Sequence, residues 1–189
     1  MFYVIILSGD NMDLYEKTVN KNYVYKGKII KVRRDDAMLP NGNTAVREVV
    51  EHTGGVAILA TDNDCVYMVE QFRYPFEEVI LELPAGKLNE NENPKECAAR
   101  ELKEETGLTC ATLKYIGCFY PSPGYALESL HIYVAEGLSK GKSKLDPDEF
   151  LNVKKIKLSE IRKLIETNVI KDAKTVIALL YYFNYLCKE

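Results

Sequence analysis

The first half of the chain alternates apolar and polar positions with the two-residue period of strands. Residues 23–32 and 44–52 read as strands, and the Asn41-Gly42 pair before the second is a strong hairpin signal. A second pair, 56–61 and 66–72, brackets the polar Asp62-Asn63-Asp64 turn, and further strands are expected near 113–119, 129–135 and 150–157. The period lengthens to that of a helix over 94–106, 159–167 and 172–187. Many strands with few helices, and no regular strand–helix alternation, predict an α+β layered fold. No internal repeat or low-complexity tract interrupts it.

The first helix carries the most chemistry. Asn93 can cap it, Pro94 suits its first position, Glu96 sits where a capping-box acid belongs, and Gly107 suits its stop. At about 100° per residue, Ala98 and Leu102 mark one buried stripe. Glu101 and Glu105 lie one turn apart beside that stripe; Glu104 lies further round, with Arg100 one turn before it. Like charges at this spacing destabilise a helix by a few tenths of a kcal/mol, roughly, and more where they are desolvated. A divalent cation would remove the conflict, and oxygen-only ligands suit Mg²⁺ or Mn²⁺. The plain alternative is a solvated acidic helix with Arg100–Glu104 and Lys103 in surface ion pairs.

The spacing around this helix narrows the choice. Gly86, five residues, Glu92, seven residues, then Arg100-Glu101-Leu102-x-Glu104-Glu105-x-Gly107-Leu108 match in full the G-x5-E-x7-R-E-U-x-E-E-x-G-U box, U being a bulky aliphatic. Seven such fixed residues would coincide about once in a hundred million windows at average residue usage. The chain thus resembles the Nudix hydrolases. The resemblance implies an α/β/α sandwich with a mixed sheet, the box forming loop, helix and loop, preceded here by a small N-terminal antiparallel β region.

Outside the box, Pro121-Ser122-Pro123-Gly124-Tyr125-Ala126-Leu127-Glu128 resembles the substrate-class loop of the ADP-ribose pyrophosphatase subgroup, with Pro123 fifteen residues after Leu108. Residues 47–52, 70–75, 82–86 and the Asp172-Ala173-Lys174-Thr175 run are similar to that subgroup too. What the resemblance implies is metal-dependent hydrolysis of ADP-ribose to AMP and ribose 5-phosphate. The alternatives are another nucleoside diphosphate sugar or, from a different class, a ligand-sensing Nudix domain without catalysis. An eroded box or a fused DNA-binding helix pair would favour the last, and the sequence has neither.

By the same resemblance Glu101, Glu105 and Glu104 are metal ligands with the Ala85 carbonyl, Glu92 supports the loop, and Arg100 orients the box glutamates. Gly86 would permit a tight turn exposing the Ala85 carbonyl. Glu128 is the expected general base, with Glu104 or metal-bound hydroxide as alternatives. Arg73 is the expected diphosphate contact, since a guanidinium matches phosphate oxygens in a bidentate fork; its plain reading is a surface ion pair. Glu82 could read ribose or a metal-bound water, Arg47 is a weaker substrate contact, and Tyr25 is the candidate for stacking on adenine, against a packing role.

Composition adds limits. At 189 residues, 47% apolar and 28% charged, the chain can bury one core. A net charge of −3 argues against a nucleic-acid partner. Five scattered cysteines without C-x-x-C spacing read as reduced thiols in a cytoplasm. His52 and His131 stand alone and read as structural, and the Asp146–Glu149 turn lacks the pattern of a calcium loop. Residues 1–11 read as an upstream-start extension, too short to span a membrane, followed by a β region over 12–52 and the hydrolase domain over 53–189. Members of the resembling subgroup are homodimers that exchange N-terminal strands, which the 23–52 hairpin would allow.

Overall fold

The computed structural model describes residues 13–187, so the expected extension over 1–11 lies outside the described residues. Two compact units divide the chain, one formed up to His52 with Gly124–Ala126 and the other from Thr53 to Pro123 and from Leu127 onward.

The first unit holds β1 (Lys17–Asn20), β2 (Tyr23–Lys26), β3 (Lys31–Met38) and β4 (Thr44–Glu51). β3 and β4 pair antiparallel from Lys31 opposite Glu51 to Met38 opposite Thr44. The expected turn closes them: Gly42 has a φ of 83° and its N–H donates to the Leu39 carbonyl at 2.9 Å. The single strand expected over 23–32 is two strands. Gly27 donates to the Ile30 carbonyl at 2.9 Å and folds β2 back onto β3, so Tyr25 and Val32 become cross-strand partners. The apolar alternation runs on through this turn because Ile29 and Ile30, at its tip and its close, are apolar. Val50 donates to the Tyr125 carbonyl at 2.8 Å, tying the Gly124–Ala126 segment to this unit.

The second unit is built on β5 (Gly55–Asp62), β6 (Cys65–Arg73), β7 (Glu78–Glu82), β8 (Ala85–Lys87), β9 (Leu108–Phe119), β11 (Leu130–Lys140) and β12 (Leu151–Lys157); β10 (Ala126–Leu127) precedes β11. Its sheet runs β12-β6-β5-β11-β9, with β7 on β6 and β8 on β5. β5 and β11 are parallel and the other pairs antiparallel, so the sheet is mixed. Seven of the eight residues of β5 are buried, which is why it reads as a continuous apolar run, as a strand covered on both faces must.

Helices supply that cover. Val56, Ile58 and Ala60 share one cluster with Cys97, Ala98 and Leu102 of α1 (Pro94–Thr106). Ala57 and Leu59 point the other way, into a cluster with Ile161 of α2 (Leu158–Glu166) and Ala178 and Leu179 of α3 (Ala173–Tyr181). The unit is an α/β/α sandwich. The last expected helix is α3 followed by a π-helical turn over Tyr182–Leu186. β7 and β8, absent from the sequence reading because they are short, bring the chain to the site.

Candidate active site

α1 begins and ends on the residues its sequence marks. The Asn93 side chain accepts from the Lys95 N–H at 2.9 Å, and Gly107 closes the helix at a φ of 71°. A side chain on Gly107 would also meet the Ser143 backbone at 2.8 Å. These two ends fix the rotation of the helix, and the rotation buries Glu101 and Glu105 with Cys97, Ala98 and Leu102. Glu105 is 3% exposed and Glu101 8%, while Glu104 is half-buried further round.

The two buried glutamates close on β8. Glu105 accepts from the Ala85 N–H at 3.0 Å. Gly86 has an ordinary negative φ and pairs with Val56 as a regular strand residue, so the tight turn expected there is not what requires glycine. The requirement is space, because a Cβ on Gly86 would fall within the Glu101 carboxyl group. That is a correction to the role, and its reason is the close approach of α1 to β8.

Arg100 organises the remaining box. Its Nε and Nη2 donate to the two Glu92 oxygens at 2.8 and 2.9 Å, and its Nη1 donates to Glu101 at 2.7 Å and Glu104 at 3.0 Å. Asn89 N–H closes the loop onto Glu92 at 2.9 Å. The Arg100 guanidinium holds Glu92 down to about 2, with the Asn89 N–H helping. Burial pushes Glu105 up to about 8, opposed by the Ala85 N–H and reinforced by the charges of Glu101 and Glu149. Burial also raises Glu101, against the pull of Arg100.

Among the described residues no three His, Cys, Asp or Glu side chains form a closed ligand set. The donor chemistry nevertheless fits a hard divalent ion: two buried carboxylates raised by burial and by neighbouring carboxylates, beside a backbone segment that no side chain obstructs. Glu101 and Glu105 would hold such an ion, with Glu104 on the same helix and the carbonyl of Ala85, whose N–H donates to Glu105, as the candidate additional oxygens.

Arg73 ends β6 opposite Glu78 at the start of β7, and its side chain reaches Glu82 at the end of that strand. Its Nε and Nη2 donate to Glu82 at 2.6 and 2.8 Å. Glu82 is 2% exposed and also pairs with Lys174, which lies 3.0 Å from Asp172. The pairing of Glu82 with Arg73 and Lys174 outweighs its burial and keeps it ionised. The Arg73 charge favours the ionised form of Glu105, against its burial. Cation and carboxylates thus share one region.

Two further charged residues bear on the site. The charge of Glu149, in the acidic Asp146–Glu149 turn, raises both Glu101 and Glu105. Lys174, in the Asp172–Thr175 run, pairs with Glu82. Glu128 follows β10, is half-buried and has an interaction partner of its own. In the first unit, Arg47 pairs with Glu16 at 2.7 Å and the exposed Tyr25 lies on β2. Pro123 and Gly124 are exposed.

Residues 51–179 match the NUDIX domain. The chain belongs to the Nudix family. Residues 16–50 match the nucleoside diphosphate sugar hydrolase N-terminal domain. The Nudix chain is 47% identical to an ADP-ribose pyrophosphatase of Bacillus subtilis, over 89% of this chain and 92% of that one. It is 45% identical to a methanol dehydrogenase activator of Bacillus methanolicus, over 88% and 91%. The crystal structure of an ADP compounds hydrolase superposes with a TM-score of 0.83 at 23% identity, covering 94% of this chain and 97% of that chain, which shows the fold. This chain is a Nudix hydrolase, of a family that generally works with a divalent metal.

Proposed function

We propose that this Nudix hydrolase cleaves the diphosphate of ADP-ribose to AMP and ribose 5-phosphate, with Mg²⁺ as its metal and Mn²⁺ as a substitute. The observation that carries the reaction class is that the buried Glu101–Glu105 pair closes on Ala85 and Gly86 while Arg73 is held by Glu82, three residues before Ala85. A diphosphate needs both: anionic oxygens on the protein cannot hold it without a cation, and a guanidinium edge fits its own oxygens. The bound metal ion would neutralise phosphoryl charge and activate the attacking water. The identity to the Bacillus subtilis ADP-ribose pyrophosphatase over most of both chains supports the substrate.

The protein's own residues then have separable tasks. Arg100 keeps Glu92, Glu101 and Glu104 in fixed orientation. Arg73 binds the diphosphate through the edge of its guanidinium turned away from Glu82. In the reaction a water oxygen bonds to one phosphorus, the bridging P–O bond breaks, and the water proton passes to a carboxylate. For that base we propose Glu128, half-buried after β10 in the loop that follows Pro123 and Gly124, with Glu149, whose charge reaches both buried box glutamates, as the alternative. Glu82, paired on both oxygens, supports Arg73 in this reading and does not reach ribose.

We propose further that the enzyme is a cytoplasmic homodimer. Its five cysteines are all free thiols, and no helix among the described residues is long and apolar enough to cross a membrane. Exposed Val19, Val24, Tyr25, Ile29 and Val46 give the first unit an apolar surface for a second copy, with Tyr25 as the adenine-stacking residue and Arg47 as a weaker substrate contact. Light scattering at micromolar concentration checks the dimer, and a monomer mass would remove it.

A panel of ADP-ribose, GDP-mannose and other nucleoside diphosphate sugars with Mg²⁺ and Mn²⁺ tests the substrate. ADP-ribose is expected to have the highest kcat/KM. A higher value for another sugar would transfer the assignment to it.

A further inference from the structure

We infer that Lys174 is a positioning residue for Arg73, acting through Glu82; the inference rests on the proposed contact between Arg73 and the substrate diphosphate. α3 starts at an Asp172 cap whose Oδ2 accepts from the Thr175 N–H at 3.0 Å and from its hydroxyl at 2.5 Å. The Thr175 oxygen accepts in turn from the Leu83 N–H at 2.9 Å, locking the first turn of α3 to the end of β7. On this anchor Lys174 bridges Asp172 and the buried Glu82, and Glu82 grips Arg73 by two parallel hydrogen bonds. Four charges alternate in sign along one chain, from the helix start to the guanidinium.

The arrangement decides which edge of Arg73 is available. Nε and one hydrogen of Nη2 are committed to Glu82. Among the described residues Nη1 carries no hydrogen bond, and the Arg73 side chain is 40% exposed where those of Lys174 and Glu82 are 15% and 3%. The inner edge is thus fixed and the outer edge remains for two phosphate oxygens. Without Lys174 the buried carboxylate of Glu82 and the half-buried one of Asp172 would have Arg73 as their shared cation. Leaving a buried carboxylate under-compensated is costly, so the guanidinium would be drawn inward and its charge spent there. Substrate affinity, not the chemical step, should suffer.

The test is a double-mutant cycle on the full chain, with ADP-ribose and Mg²⁺. Lys174→Met is expected to raise KM about tenfold with kcat within about threefold, the pattern of a lost binding interaction. Lys174→Gln serves the same arm if the methionine variant does not fold, since it keeps a donor to Glu82 without the charge. Lys174→Arg is expected to restore KM to within about threefold, because it returns the cation. In an Arg73→Ala background, Lys174→Met should change KM by less than about twofold. An equal rise in that background, or none in the native one, overturns the role of Lys174. If Arg73→Ala alone leaves KM unchanged, the diphosphate contact itself falls, a distinguishable result.

Discussion

At the scale of single residues, the clearest electrostatic statement concerns Glu92. Arg100 holds it at about 2 against an ordinary value of 4.5. A carboxylate depressed on folding stabilises fully above the unfolded value, and that stabilisation is lost as pH falls through the folded one. Glu92→Gln should therefore lower unfolding free energy at pH 7 by about 1.5–3 kcal/mol, the range for hydrogen bonds to charged groups. The gap to the native protein should close between about pH 4.5 and pH 2, read by urea unfolding in chelator across pH. A gap independent of pH would remove the Arg100 pairing as its cause. Glu128 supplies the second prediction. Glu128→Gln should reduce kcat by about two to four powers of ten, the size of a lost general base. Comparing it with Glu149→Gln under Mg²⁺ decides the assignment, since a larger loss at Glu149 would move the role there. The identity of the box residues was legible in the sequence, but their reasons were not. Spacing shows that Gly86 is fixed; only the approach of the Glu101 carboxyl shows why. Glu149 was hidden because its link to Glu101 and Glu105 crosses more than forty positions of chain and leaves no periodic trace.

Among the elements, α1 was legible to the residue because both its ends are local chemistry. Asn93, Pro94 and Gly107 set its limits, and those limits set which glutamates are buried. Asn93→Ala removes the acceptor for the Lys95 N–H and should cost about 1 kcal/mol. Thermal unfolding with and without Mg²⁺ checks this, and an unchanged Tm would show that the β8 packing alone holds the helix start. The strands were read less well. The 23–32 run broke at Gly27 because cross-strand pairing, not alternation, decides where a strand ends. β7 and β8 span five and three residues, too short for a period to register, yet they carry Glu82, Ala85 and Gly86. The fold was therefore most legible where structure is local and least so where short strands add to a sheet at long range.

For the whole molecule, one logic joins the layers of the second unit. α1 covers one face of the sheet and brings Glu101 and Glu105 to β8; α3 covers the other and brings Lys174 to Glu82 and Arg73. The layers that bury the core thereby place carboxylates and cations around the ends of β6, β7 and β8. The sandwich was implied by the match of Gly86–Leu108 to the box, but the second helix layer's contribution to the site was not, since it arises from ion pairs between distant segments. The most direct test is hydrolysis of ADP-ribose in ¹⁸O-labelled water, with Mg²⁺ and with the metal chelated. The expected result is AMP and ribose 5-phosphate in equal amounts, one ¹⁸O in the phosphate of one product, and no turnover in chelator. Unchanged turnover in chelator, or products without the label, would contradict metal-dependent cleavage of the diphosphate at this site.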